Sequence, residues 1–315
     1  MAMREIKIHS GSFPRISSLS CLYAGFCALA LFFFPANDAR GAQDCGRGVV
    51  LRLSAPLSTQ GSLLLADVHS ATPLAQVHGE WDSREVTFWR EGQRGDVWRA
   101  LVGVDLEKAA GDFPLKITAQ PPEGEPVNCE ANVAVRAGHF PTESLHVEKQ
   151  FVEPDPEQAK RVEEEGQRLH KIFDTVTPER LWRGRFRVPL NGVTTGGNFG
   201  RRRILNGEPR SPHTGVDFPA PTGTPVHASQ HGRVVLAEPL FFSGNTVIVD
   251  HGLGVYTLYA HLSEISVKPG DLVDPSAVLG KVGATGRVTG PHLHWGLTVN
   301  KARVNALQIV KLLRE

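Results

Sequence analysis

The chain's 315 residues are enough for two domains and a leader, and its 41% hydrophobic content is ordinary for a soluble globular protein. Its 34 Lys and Arg stand against 33 Asp and Glu. That balance excludes recruitment to nucleic acid or to an anionic wall by net charge, so partners must be recognised locally.

Residues 1–41 read as a secretory signal peptide. Arg4, Lys7 and Arg15 give a positive start, residues 19–34 carry no charge, and Ala39 and Gly41 suit cleavage. A spanning helix usually needs about 20 apolar residues, which favours a leader over an anchor. No mature transmembrane segment is expected. Removal of the leader leaves 30 basic and 31 acidic residues. It also removes Cys21 and Cys27, leaving only Cys45 and Cys129. An even pair in an exported chain predicts a disulfide. A bridge across that span is worth roughly 4–5 kcal/mol in the chain-entropy model.

Residues 42–137 are expected to form an immunoglobulin-like β-sandwich. Runs rich in strand formers recur at 49–53, 63–65, 86–89, 97–102, 115–118 and 133–135, with Gly and Pro turns between them. About seven strands in about 90 residues fits such a sandwich. The cysteine pair would tie the first strand to the last. His69 and His78 are isolated, and no catalytic cluster occurs here. The domain reads as a spacer, a docking module or a cover.

Residues 138–185 read as an extended plus helical connector. Asp155 suits an N-cap, Pro156 the first helical position and Gln158 a capping box. A thin apolar stripe, Ala159, Val162, Leu169, Ile172, Phe173 and Val176, backs a highly charged face. The expectation is a solvent-facing brace.

Residues 186–315 are rich in strand signals again, at 232–237, 245–250, 255–259, 278–282 and 292–299. Asn305 and Gln308 suggest a cap for a final helix over 306–313. Chemistry concentrates in three places. His292 and His294 are two apart in a strand-forming run, which puts both on one face. His213 and Asp217 are four apart in a stretch that Pro212, Gly215 and Pro219 make extended, again one face. His261 follows a strand-forming run at 255–258. A mixed His and Asp set suits zinc better than calcium. Arg201, Arg202 and Arg203 are either a solvated loop or a carboxylate-binding run. His227, His231 and His251 read as structural, and Tyr256 and Tyr259 as core.

The motifs His213-Thr-Gly-Val-Asp217, Tyr259-Ala-His261-Leu and Gly290-Pro-His292-Leu-His294 occur in this order. With them come Asn198-Phe199-Gly200-Arg201-Arg202, Gly223-Thr224-Pro225-Val226 and Thr285-Gly286-Arg287-Val288-Thr289-Gly290. The set, over about 186–307, resembles the lysostaphin-type (LytM-like) zinc metalloendopeptidases. The resemblance implies a C-terminal antiparallel β-sheet peptidase domain within a mostly β chain. It implies one zinc ion per chain, held by His213, Asp217 and His294, with His261 and His292 as catalytic histidines. Three protein ligands leave one zinc position open, as in catalytic sites.

What the resemblance implies about function is hydrolysis of peptide cross-links in peptidoglycan. D-Ala–diaminopimelate links are favoured, because no wall-binding repeat accompanies the domain. The implied partners are stem peptides and cross-links, with an envelope regulatory protein as a further candidate and no nucleic acid. The implied location is the periplasm or cell envelope, or outside the cell. One rival is a non-catalytic activator of a separate wall amidase; retention of all five residues disfavours it. Another is a closed structural zinc site with His292 as fourth ligand.

Overall fold

The computed structural model of the protein describes residues 41–91, 97–193 and 196–313. All of the expected leader but Gly41 lies outside the described residues. Among those described, no helix is long and apolar enough to cross a membrane.

The first half contains β1 (Ala42–Gly46), β2 (Val49–Leu53), β3 (Leu57–Thr59), β4 (Leu63–Ser70), β5 (Gln76–Trp81), β6 (Arg84–Thr87), β7 (Trp89–Glu91), β8 (Val97–Gly103), β9 (Gly111–Gln120) and β10 (Val127–Arg136). They form two five-stranded sheets, β1-β2-β4-β8-β7 and β3-β10-β9-β5-β6. The alternation of apolar and polar residues along β10 puts Val127, Cys129, Ala131, Val133 and Val135 inside and their neighbours outside. Leu51, Leu64 and Val68 of the first sheet meet Leu115, Ile117 and Val133 of the second in one core. Cys45 and Cys129 are bridged across 84 residues, joining β1 to β10, the first strand to the last.

There are more strands here than the seven expected. The run 86–89 is not one strand: it breaks at Phe88, with β6 in one sheet and β7 in the other. Strands β1, β3 and β5 were not anticipated. β5, Gln-Val-His-Gly-Glu-Trp, alternates correctly, but Gly and Glu weaken its strand signal.

The connector takes part in the second half's structure. Its extended portion holds β11 (Thr142–Leu145), which pairs in parallel with β12 (Arg202–Leu205); β13 (Glu208–Arg210) completes a three-stranded sheet. Then comes α1 (Pro156–Asp174), with the capping box between Asp155 and Gln158 complete. The helix stops before Val176, which is exposed. Leu169, Ile172 and Phe173 pack against Leu236, Leu240, Ile248 and Tyr256, so the stripe anchors the helix on the large sheet. Glu165, buried on the same side, accepts from Arg161 and from the Phe241 backbone N–H.

That large sheet is built from β14 (Gly215–Pro219), β15 (Pro225–His227), β16 (Gly232–Leu240), β17 (Gly244–Asp250), β18 (Val255–Ile265), β19 (Leu272–Val273), β20 (Val278–Val282), β21 (His292–Val299) and β22 (Ala302–Val304). Its spine runs β14-β21-β18-β17-β16-β19, with antiparallel pairings. The final helix, α2 (Leu307–Leu312), is shorter than the expected 306–313. Asn305 Oδ1 accepts the Leu307 N–H, but Gln308 does not close a capping box. Its Oε1 accepts the Leu63 N–H from β4 instead.

That contact belongs to an apolar junction between the halves. Leu63, Trp89 and Leu101 share a core with Trp182, Phe186, Val299, Ala302, Val304 and Ile309. Arg303 forks onto Asp105 and also reaches Glu107. Burial would raise the Asp105 pKa, but the Arg303 hydrogen bonds outweigh it and hold the carboxyl below its usual range. The sandwich is therefore docked on the β21–β22–α2 edge.

Candidate metal centre

The pairing register assembles the site. β14 lies against β21 with Asp217 directly opposite His294 and Pro219 opposite His292. On the other side of β21, Ala260 lies opposite His294, which brings the following residue, His261, alongside. His213 enters just before β14, fixed by backbone bonds between its N–H and Arg201 O and between its carbonyl and Gly200 N–H.

Three ligand atoms converge. His213 Nε2 and His294 Nδ1 are 2.8 Å apart, and each lies 3.0 Å from Asp217 Oδ1. These three residues form the group able to hold a metal ion among the described residues, with ligand atoms within 4.8 Å of one another. His292 is not in that group; its Nε2 stands 3.7 Å from Asp217 Oδ1. His292 thus falls outside the three-residue group.

The imidazoles are oriented from behind. His213 Nδ1 lies 2.8 Å from Asn198 O, His261 Nδ1 2.8 Å from Thr285 O and His292 Nδ1 2.8 Å from Gly290 O. A carbonyl can only accept, so each Nδ1 carries the proton and each Nε2 presents a lone pair. His261 has φ +63°, a left-handed conformation rare for a residue with a side chain. Its N–H bonds Ser243 O at 2.9 Å, which holds that conformation. Gly215 is needed for a different reason: a Cβ there would lie 2.6 Å from the His294 ring.

The electrostatics fit a cation. Burial would raise the Asp217 pKa, but hydrogen bonds and charge from His213 and His294 outweigh it, and the carboxyl lies far below its usual range. Burial lowers His294, and burial with the neighbouring His294 and His292 pushes His261 down to about 3. Asp217 is thus held as an anionic carboxylate and His294 as a neutral imidazole, the protonation states a metal requires.

Two further residues stand at the site: Asn198, given no role from the sequence, and Arg203, read there only as one of a run of three arginines. Asn198, at φ +72°, holds His213 with its carbonyl and points its side-chain amide at Asp217 Oδ2, 3.4 Å away. Arg203 Nη2 lies 3.8 Å from the same oxygen. The arginine run is not a solvated loop: Arg202 and Arg203 begin β12, and Arg201 pairs with Glu143 of β11 at 3.2 Å. Strand periodicity separates Arg201 and Arg203 from Arg202, which lines a different pocket.

The histidines read as structural include one that reports on acid stability. His251 is fully buried against Phe186, with Nδ1 2.7 Å from His231 O and Nε2 2.7 Å from Thr257 Oγ1. Burial pushes its pKa down to about 4. An unfolded histidine takes up its proton near pH 6.5. Stability is therefore full above about pH 6.5 and falls as pH drops toward 4, by roughly 1–1.5 kcal/mol per pH unit for this group. Urea denaturation from pH 7 to 4.5 is expected to show a slope shallower by that amount in His251→Asn than in the native chain. Equal slopes would remove His251 as the cause.

Comparison with known proteins agrees with this arrangement. Residues 211–306 match the model for Peptidase family M23. A crystal structure from Pseudomonas aeruginosa assigned to peptidase M23 is 31% identical, with a TM-score of 0.61, covering 80% of this chain and 94% of that one. The peptidoglycan DD-endopeptidase ShyA of Vibrio cholerae is 31% identical over 227 residues, 71% of this chain and 45% of that protein. The DD-carboxypeptidase/endopeptidase Mpg of Neisseria meningitidis is 46% identical over 97 residues, 31% of this chain and 22% of that protein. The matches span less than half the length of these curated relatives. The motif-bearing domain and the nearly complete overlap with the Pseudomonas structure together show that the chain belongs to peptidase family M23.

Proposed function

We propose that the chain is a zinc-dependent metalloendopeptidase that hydrolyses peptide cross-links of bacterial peptidoglycan in the cell envelope. The observation that carries this is the convergence of His213, Asp217 and His294 with two further imidazoles presenting bare Nε2 atoms. The names of ShyA and Mpg, a DD-endopeptidase and a DD-carboxypeptidase/endopeptidase, support D,D-peptide bonds as the target. The domain division proposed with it is 42–137 sandwich, 138–185 connector and 186–315 peptidase, behind a leader at 1–41. The amidase-activator reading finds no support in a donor set this complete.

The residues fit zinc. The three ligand atoms form a triangle 2.8–3.0 Å on a side. Atoms this close together would be held by one zinc ion, and a His, His and Asp donor set suits that metal. When bound, zinc supplies Lewis acidity to water and to the scissile carbonyl. His261 and His292 then do the proton work. A bare Nε2 accepts the proton of the attacking water. Once protonated, the same nitrogen donates to the developing oxyanion or to the departing amine.

Muropeptide analysis of cross-linked peptidoglycan after incubation with the zinc-loaded chain tests the proposal. Dimers are expected to be converted to monomers, and a chelator to stop the conversion. Persistence of dimers with folded, metal-loaded protein defeats it.

A further inference from the structure

We propose that Arg203 and Arg287 form a carboxylate-binding subsite in the cleft beside His261 and His292, so that the preferred substrate carries a free carboxylate next to the bond to be cut. The statement about cutting rests on the hydrolase reading above; the statement about binding does not.

The cleft holds two guanidiniums and two carboxylates, Arg203, Arg287, Glu143 and Asp217. Among the described residues neither carboxylate hydrogen-bonds Arg203 or Arg287; Asp217 and Glu143 act on Arg203 by charge alone. Glu143 is committed to Arg201. Asp217 Oδ1 serves His213 and His294, and its Oδ2 lies 3.8 Å from Arg203, too far for a hydrogen bond. Arg203 Nε is buried without a hydrogen-bond partner. A metal ion on Asp217 would draw off that carboxylate's charge as well, leaving the guanidiniums in surplus.

Arg287 is built in rather than dangling. Its guanidinium lies 4.5 Å over the Phe242 ring, and its backbone N–H bonds Phe242 O at 2.8 Å. Stacking occupies the face of the guanidinium and leaves its N–H edge available for a fork. The charged neighbours that act on it are cations, Arg203 and Arg210; burial and these two push its pKa down to about 10. It stays charged at neutral pH, and an incoming anion relieves the repulsion. Two planar forks without a hydrogen-bonded carboxylate among the described residues match a carboxylate in shape and charge.

Position ties this subsite to the chemistry. Arg287 sits in the segment between β20 and β21. The same segment supplies Thr285 O to His261 and Gly290 O to His292. A carboxylate held at Arg287 is thus referenced to the backbone that orients both imidazoles, and the neighbouring peptide bond is delivered to them. Two sources share this chemistry: the chain-terminal carboxylate of a D-alanyl-D-alanine end, and the carboxylate that diaminopimelate carries beside a cross-link.

Calorimetry on the zinc-loaded full chain separates them. The probes are reduced-bond analogues of acetyl-D-alanyl-D-alanine and of acetyl-D-alanyl-diaminopimelate, each as free carboxylate and as carboxamide; none can be hydrolysed. In at least one pair the carboxylate is expected to bind about 10- to 100-fold tighter, the range of a charge-assisted fork. The pair that shows the preference names the source. Arg287→Gln and Arg203→Gln are each expected to bring the ratio toward one, and Arg287→Lys to retain part of it. Zinc content and circular dichroism report that each variant is folded and loaded. Equal binding of acid and amide in both pairs, or a ratio untouched in both glutamine variants, overturns the subsite. A preserved carboxylate preference without cleavage of peptidoglycan would instead count against the hydrolase reading and leave the subsite standing.

Discussion

His213→Ala, Asp217→Ala and His294→Ala are expected to copurify with little zinc, while His261→Ala and His292→Ala keep it and lose turnover by roughly 10²–10⁴. The first three residues supply the atoms that converge within 4.8 Å. Losing one leaves two protein ligands, too few for a stable zinc site. His292 shares a strand face with His294 but stands 3.7 Å from Asp217 Oδ1, where His294 stands 3.0 Å away. His261 has its ring 4.9 Å from that of His292, tilted, and 5.8 Å from that of His294, edge-on. Removing either should therefore spare affinity and slow proton transfer. Elemental analysis beside a cross-link cleavage assay reads both quantities, with circular dichroism to confirm folding. A folded His292→Ala that lost zinc as fully as His294→Ala would make His292 a ligand and the centre a closed one.

Most of this centre was legible in the sequence because strand periodicity is simple. Residues two or four apart in an extended run share a face, which links His292 to His294 and His213 to Asp217. What joins the two pairs is the β14–β21 register, and a register depends on contacts between distant segments. Asn198 escaped for a local reason. It acts through its backbone carbonyl and its left-handed conformation, and neither is written in residue type alone. Arg203 was hidden among three consecutive arginines. Only a strand assignment for 202–205 separates it from Arg202, and that strand is short, charged and half supported by β11 from the connector. The capping box of α1 was readable to the residue, since it is a contact within one turn of the chain. Gln308 shows the limit of such reading: the residue type suited a cap, but a distant backbone N–H in β4 took its oxygen.

Trp182→Ala is expected to destabilise the protein by about 3–5 kcal/mol, the cost of emptying a buried tryptophan site. Trp182 is 3% exposed at the junction of the two halves. Its ring meets Trp89 of β7 edge-on at 5.2 Å and Phe186 at 6.2 Å. The Arg180 guanidinium lies over both tryptophans and pairs with Glu91 at 3.1 Å. Trp182 thus connects a strand of the first half with the start of the second. The residues around it belong to one core, from Leu63 and Leu101 to Val304 and Ile309. Tryptophan-sized space cannot be refilled by small shifts of strands already tied in sheets, so the cavity term should be large. Trp182→Phe keeps most of the ring contact and is expected to cost less than half as much. Because the core is shared, the native chain should unfold in one cooperative transition, and Trp182→Ala should shift the whole of it. Guanidinium denaturation followed by far-ultraviolet circular dichroism and tryptophan fluorescence measures this. Two separated transitions, with one half untouched by the substitution, would mean that the sandwich and the peptidase sheet hold themselves up independently.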